Sequence, residues 1–144
     1  MALSEGKIRG LSVVLIRQGN EILVSPGHDE IKGTDFYRLL GGGIEFGETS
    51  LEAVKREIRE ELNAELENIK LLEVVENIFT YNNQAGHEIA FIYTAEFVDK
   101  SLYQQESFKI VDGGEEFEAI WLEINESNSS QVFPGDFKKI NKLF

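Results

Sequence analysis

Glutamates are crowded into one short stretch of this chain, in a pattern that suits a divalent cation. Residues 41–64 read GGGIEFGETSLEAVKREIREELNA. Glu57, Glu60 and Glu61 recur at three- and four-residue spacing, which makes side chains neighbours on a helix. Like charges so placed destabilise a helix, and two of them would fall in its last turn, at the negative end of its dipole. A cation relieves both penalties. Clustered carboxylate oxygens are the ligands Mg²⁺ or Mn²⁺ prefers, and Mg²⁺ is commonly shared with substrate phosphates. A merely solvated acidic face would more often set Lys four residues after Glu. Here Lys55 and Arg59 are four apart from each other. Arg56 can reach Glu60 across one turn and orient that carboxylate. The glycines just before the helix permit close backbone approach. A carbonyl at Gly41 or Gly42 is a candidate further ligand, and backbone N–H groups there can meet phosphate oxygens.

Positioning these groups needs a helix and a sheet. Thr49 or Ser50 can cap a helix over 51–62, with Glu52 near the capping-box position. Leu51, Val54, Ile58 and Leu62 recur at helical spacing and form the expected buried stripe. Asn63 tolerates the left-handed conformation that ends a helix. Before the helix, strands are expected over 11–16, 21–24 and 36–40. The first two are read as an antiparallel pair about Gly19-Asn20, with Pro26-Gly27 ending the second and a loop over 28–34. The glycines are expected to lead into a turn, and the turn into the helix. After the helix, a long strand over 69–81 and its return over 88–98 flank a hairpin turn at 82–86. Phe117, Ala119 and Trp121 alternate in a strand over 115–122, and a short helix is expected over 136–143. Residues 99–112 carry no clear pattern. Hairpin-joined strands with one central helix imply an α/β (α+β) layered domain with a mixed or mainly antiparallel sheet.

Composition narrows the function. The chain has 144 residues, an apolar fraction of 42%, no cysteine and a formal net charge of −12. One domain over 1–144 is the simplest organisation. Without cysteine there is no disulfide, thiolate zinc site or cysteine nucleophile, which fits a reducing cytoplasm. With only His28 and His87, both in expected loops, a zinc site is improbable. No apolar run approaches the roughly 20 residues that span a bilayer. So acidic a surface repels duplex nucleic acid and anionic membranes, but accepts a small phosphorylated substrate where cations supply local positive charge.

The stretch resembles the Nudix box, G-x5-E-x7-R-E-U-x-E-E-x-G-U, with U a bulky aliphatic residue. Gly42 opens it, Glu48 follows, and Arg56-Glu57-Ile58-Arg59-Glu60-Glu61 completes its core. Asn63 and Ala64 replace the usual glycine and larger aliphatic, and Leu40 replaces a frequent proline. The resemblance implies a Nudix-type α/β/α sandwich with the box helix packed on a mixed sheet. It implies hydrolysis of a nucleoside diphosphate linked to another moiety, with Mg²⁺ (or Mn²⁺) as cofactor. Carried over by position, Glu57, Glu60 and Glu61 bind metal with the Gly41 carbonyl. Glu48 binds metal or supports the site through water, and Arg56 orients the glutamates. The general base is Glu57 or Glu61, or comes from a later loop, where Glu106, Glu115 and Glu116 are candidates. A homodimer is a candidate assembly.

Substrate contacts are less legible. Arg9, Arg17 and Arg38 can clamp phosphates or be plain surface charges. Phe79, Tyr81 and Tyr93 can stack a base or sit in the core or on the sheet. The competing class of function is a nucleotide-sensing or scaffolding domain that kept the fold and lost catalysis. Retention of Glu48, Glu57, Glu60 and Glu61 argues against it.

Overall fold

The computed structural model describes residues 6–141. The chain begins with strands β1 (Arg9–Leu15), β2 (Arg17–Gln18), β3 (Glu21–Asp29) and β4 (Thr34–Gly43), then helix α1 (Ser50–Leu62). The long hairpin β5 (Leu66–Tyr81) and β6 (Gln84–Phe97) follows, turning on Asn82 and Asn83, both at positive φ. A 3-10 turn (Lys100–Gln104) leads to the hairpin β7 (Ser107–Asp112) and β8 (Glu115–Glu123). A second 3-10 turn (Ser129–Gln131), β9 (Val132–Phe133) and helix α2 (Phe137–Asn141) complete the described chain.

Among the described residues the strands form one mixed sheet, ordered β5-β6-β1-β4-β3-β8-β7, with β2 beside β3 and β9 beside β4. The β1–β6 and β4–β9 pairs are parallel and the others antiparallel. The two helices cover opposite faces. Val54 and Ile58 of α1 pack with Val14, Leu40 and Phe97. Phe137 and Ile140 of α2 pack with Leu11, Val13 and Ile92. This is the expected α+β sandwich of a mixed sheet between helices. No helix among the described residues is long and apolar enough to cross a membrane.

The helix forms as its sequence suggests. Thr49 caps it in a reciprocal box with Glu52, and Asn63 ends it in the left-handed conformation at φ 52°. Its buried face differs from expectation. Ala53, Val54 and Ile58 are buried, whereas Leu51 is 40% exposed and Leu62 only partly covered. At about 100° per residue, the covered arc is turned away from Leu51, towards Ala53, Glu57 and Glu61. Hydrogen bonds pin that rotation. Ser12 Oγ donates to the Ser50 carbonyl at 2.7 Å, and Ser50 Oγ meets Tyr93 Oη at 2.6 Å.

The strands depart from expectation in several places. β3 runs through Pro26-Gly27 to Asp29, because from Ser25 onward it pairs with β4 alone; an edge position tolerates a residue without an N–H. The antiparallel hairpin about Gly19-Asn20 forms between β2 and β3, with the Leu23 N–H donating to the Ile16 carbonyl at 3.0 Å, but β1 itself pairs with β4 and β6. His28 lies on β3 and His87 on β6, not in loops. The three glycines are the last residues of β4, which runs past the expected end at residue 40, and the expected turn follows at residues 46–47 before the helix. Residues 99–112 hold a 3-10 turn and β7. The final helix spans Phe137–Asn141; positions 142 and 143 of the expected helix lie outside the described residues.

β4 joins the two halves of the sheet. Its residues 34–39 pair with β3, and its residues 40–43 pair with β1. Gly41 sits at the changeover with φ 144°, and a Cβ there would lie 2.1 Å from the Ser12 carbonyl oxygen and 2.7 Å from Val13 Cα. Both obstacles are backbone and cannot swing aside. Gly41→Ala should therefore lower folding stability by about 2 kcal/mol or more, read as a shift in the urea midpoint. A wild-type midpoint in this variant would refute the close-packing account.

Candidate active site

Arg56 gathers the polar end of the site. Its Nε donates to Glu48 Oε2 at 2.7 Å and its Nη2 to Glu48 Oε1 at 3.0 Å, a two-pronged pair. Nη2 also donates to the Gly43 carbonyl at 3.0 Å. Nη1 donates to Glu57 Oε1 at 3.1 Å and Glu60 Oε2 at 3.2 Å. Bidentate charged pairs of this kind fix geometry as well as charge. Glu48 is further held by the Glu45 backbone N–H at 3.1 Å. The Arg56 hydrogen bonds hold the Glu48 carboxyl below the usual carboxylate range.

Glu57 and Glu61 stand on the covered arc of α1. Gly42 makes room for Glu57: a Cβ on Gly42 would lie 2.4 Å from the Glu57 carboxyl carbon. Burial raises the Glu57 pKa against the opposing pull of Arg56. Glu61 is shifted further, to about 8. Burial is the main cause, followed by the charges of Glu57, Asp112 and Glu60, with a backbone hydrogen bond at Gly41 in opposition. Glu61 Oε1 is buried and has no hydrogen-bond partner. A buried, unsatisfied carboxylate oxygen is costly and calls for a proton or a cation.

Both glutamates line a cleft of about 680 Å³ whose walls include Gly41, Gly42 and Gly43. Arg9, Arg38 and Tyr81 line it too, as do Glu115 and Glu116. Arg9 and Arg38 flank Glu88, each placing a guanidinium nitrogen 3.8 Å from its Oε2. Glu88 is only 2% exposed.

Other expected residues fall elsewhere. Glu106 is exposed ahead of β7 and is not part of the cleft wall. Arg17, on β2, is also outside that wall. Tyr93 is a core residue, bonded to Ser50. Glu60 lies at the solvent edge, its side chain 59% exposed. Among the described residues, no three His, Cys, Asp or Glu side chains converge closely enough to hold one ion. Glu48 and Glu60 are drawn to Arg56, while Glu61 faces the cleft.

Two further residues of the site lie outside the sequence expectations. Asp112 reaches the glutamates from the β7–β8 hairpin, whose turn residues Gly113 and Gly114 both have positive φ. The run Asp112-Gly113-Gly114, between apolar alternations, is a hairpin signal that points to this placement. Glu88 carries a weaker signal. It shares strand parity with Ala90 and Ile92, both fully buried.

The donor set fits a hard divalent cation: two inward carboxylates, one with an orphaned buried oxygen, beside a glycine strand that leaves room above its backbone.

Known proteins resemble this chain throughout. The family model described as NUDIX domain matches residues 6–143. The "NAD-capped RNA hydrolase NudC" of Pseudomonas aeruginosa is 31% identical over 94 residues, 65% of this chain. This chain matches only 31% of that protein, so it spans about a third of the curated relative's length. Among solved structures, the MutT NUDIX hydrolase from Burkholderia pseudomallei superposes with a TM-score of 0.66 at 24% identity. That superposition covers 95% of this chain and 98% of the other. A NUDIX hydrolase from Nitrosomonas europaea gives 0.63 at 18% identity, covering 95% and 88%. At these identities the structural likeness speaks for the fold.

The Glu61 shift has a stability consequence in the metal-free protein. Its folded pKa, about 8, lies above the ordinary glutamate value of 4.5. Folding therefore favours the protonated form. That contribution is complete below about pH 4.5 and disappears as pH rises through about 8. The melting temperature of metal-free protein should fall over this window. Glu61→Gln, which stays neutral, should flatten the fall and melt higher than wild type at pH 8. Thermal melts of both proteins in chelator check this, and parallel pH profiles would refute it.

Proposed function

The chain belongs to the NUDIX domain family, and on that premise we propose that it is a divalent-cation-dependent pyrophosphatase. It acts as a single domain on a small nucleotide-type substrate, cleaving the diphosphate that links a nucleoside to another moiety. One observation carries the reading: Glu57 and Glu61 face a cleft that Arg9 and Arg38 also line, and Glu61 Oε1 is buried there without a partner.

In this reading Glu57 and Glu61 would hold the cation with the Gly41 carbonyl, and Glu48 and Glu60, which Arg56 orients, would be the further ligands. Mg²⁺ or Mn²⁺, when bound there, would supply charge neutralisation for the diphosphate and lower the pKa of a water molecule. Arg9 and Arg38 receive the phosphate oxygens, with Glu88 between them. Water attacks phosphorus in line, the bridging P–O bond breaks, and a carboxylate accepts the water's proton. Glu57 or Glu61 is that base when not occupied by the cation. Glu115 and Glu116, on the cleft wall, are the alternatives from the later loop. Arg56 is a positioning residue for Glu48, Glu57 and Glu60.

The second reading, a nucleotide-sensing or scaffolding domain without catalysis, draws on a specific feature. Arg56 occupies Glu48 and Glu60, and no three carboxylates meet among the described residues. It predicts tight nucleotide binding without turnover.

A panel of nucleoside triphosphates, nucleotide sugars, dinucleoside polyphosphates and NAD-type dinucleotides, assayed with Mg²⁺ and Mn²⁺ and read by product identity, separates the two. NAD-type compounds belong in it because of the activity that the Pseudomonas relative's name states. Glu57→Gln and Glu61→Gln should each lower turnover at least about 100-fold while leaving the circular dichroism spectrum unchanged. Full activity in both variants would sink the pyrophosphatase reading.

A further inference from the structure

Among the described residues two carboxylates are buried to 3% exposure or less, Asp29 and Glu88. The fold accounts for the first. Asp29 Oδ1 accepts the backbone N–H groups of Ile31 and Lys32 at 3.0 and 2.9 Å, and its Oδ2 accepts that of Asn82 at 3.0 Å. Glu88, within β6, closes no turn. Its Oε2 is buried without a hydrogen-bond partner, 3.8 Å from Arg9 Nη1 and 3.8 Å from Arg38 Nη2. Replacing buried ionic groups of this kind by apolar residues is often neutral or stabilising, so stability alone does not account for it.

Three strands bring the group together. Arg9 of β1 is directly paired with Glu88 of β6. Arg38 arrives on the arm of β4 that has left β1 for β3. Gly43 leaves the space that the Arg9 side chain occupies: a Cβ there would lie 3.0 Å from Nη2 and 3.2 Å from Nε. Both arginines line the carboxylate cleft, and Glu88 does not. It lines the adjoining cavity of about 450 Å³, where the Phe36 and Phe79 rings lie over Gly27 and Gly86. A phosphate in the cleft would therefore meet the arginines and not the carboxylate behind them.

Arg38 has a second anion to turn to. Burial lowers its pKa; the Glu88 charge opposes this, Arg9 adds to it, and Glu61 opposes it in turn. Glu61 stands in the cleft, and its Oε1 lacks a partner. The Arg38 side chain is only 21% exposed, so water offers it little in exchange for a lost counter-charge. Without the Glu88 charge it would swing to Glu61, removing a phosphate donor and a cation ligand in one step.

We propose that Glu88 is a positioning residue of the site: it keeps Arg38 beside Arg9 and off Glu61, so that Arg38 stays available to a phosphate group and Glu61 to a cation. The inference rests on the pyrophosphatase reading for what the cleft binds. The separation of the two charges is a property of the metal-free chain.

Calorimetric binding of inorganic pyrophosphate to metal-free protein tests it, at about pH 8.5, above the Glu61 pKa of about 8. Glu88→Gln, which keeps the side-chain shape, should weaken binding at least about 10-fold with the circular dichroism spectrum unchanged. The same substitution made in Glu61→Gln protein should weaken nothing, because the carboxylate that would capture Arg38 is gone. A purely structural role would give the same loss in both backgrounds. A second measurement needs no Glu88 variant to fold. The Arg38 Nε–Hε NMR resonance should move when pyrophosphate is added and stay in place in Glu61→Gln. An affinity that Glu88→Gln leaves unchanged or raises, a loss that persists in the Glu61→Gln background, a resonance that Glu61→Gln displaces as far as pyrophosphate does, or no binding of pyrophosphate would overturn the assignment. A Glu61-dependent loss in a protein that hydrolyses no diphosphate would instead refute the pyrophosphatase reading and leave the role of Glu88 standing.

Discussion

Helix α1 lies against β4 only because that strand ends in residues without side chains. A single methyl group at Gly42 would occupy the space of the Glu57 carboxylate, and one at Gly41 would strike the β1 backbone. The close contact brings negative groups into a place with little water. Burial raises the pKa of both Glu57 and Glu61, and the charges of Glu60 and Asp112 add to it. One guanidinium offsets part of that cost. Arg56 touches Glu48, Glu57, Glu60 and the Gly43 carbonyl, tying the helix to the strand and to the loop between them. A helix built for stability alone would not concentrate charge in this way, and functional sites commonly carry such local cost.

The same strand governs what the site can reach. β4 pairs with β1 through its glycine end and with β3 through its other end. Its Arg38 and Phe36 line both compartments. One strand therefore connects the carboxylate cleft to the aromatic one. The surrounding charge follows a similar logic. The chain is strongly acidic overall, yet Arg9 and Arg38 bracket a buried glutamate beside the cleft. A small anion at the cleft would thus meet local positive groups within a surface that repels polyanionic duplexes.

Local features are legible in the sequence of residues itself. The capping box at Thr49, the left-handed Asn63 and the Asn82-Asn83 turn are set by residues a few positions apart, and all three form in the fold. The carboxylate spacing marks the helix as the candidate site for the same reason. The buried face of that helix is not legible in this way, because periodicity alone favours Leu51 over a small Ala53 and two glutamates. The packing partner decides otherwise: a glycine strand leaves space for carboxylates where a leucine would otherwise go. Pro26-Gly27 has the character of a strand end, but an edge strand imposes no demand on the missing N–H.

The sequence by itself determined the fold class, the helix that bears the clustered carboxylates and its chemical character, since these follow from periodicity, capping and residue type. Tertiary structure alone decided which carboxylates turn inward. It separated Glu61 in the cleft from Glu60 at the solvent edge, and it brought in Asp112 and Glu88 from distant strands. It also laid two rings over two glycines around one cavity. The physical reason is range. Hydrogen-bonded turns and caps depend on neighbours along the chain, whereas burial, and the pKa shifts and close approaches that follow from it, depend on which strands the sheet order makes adjacent.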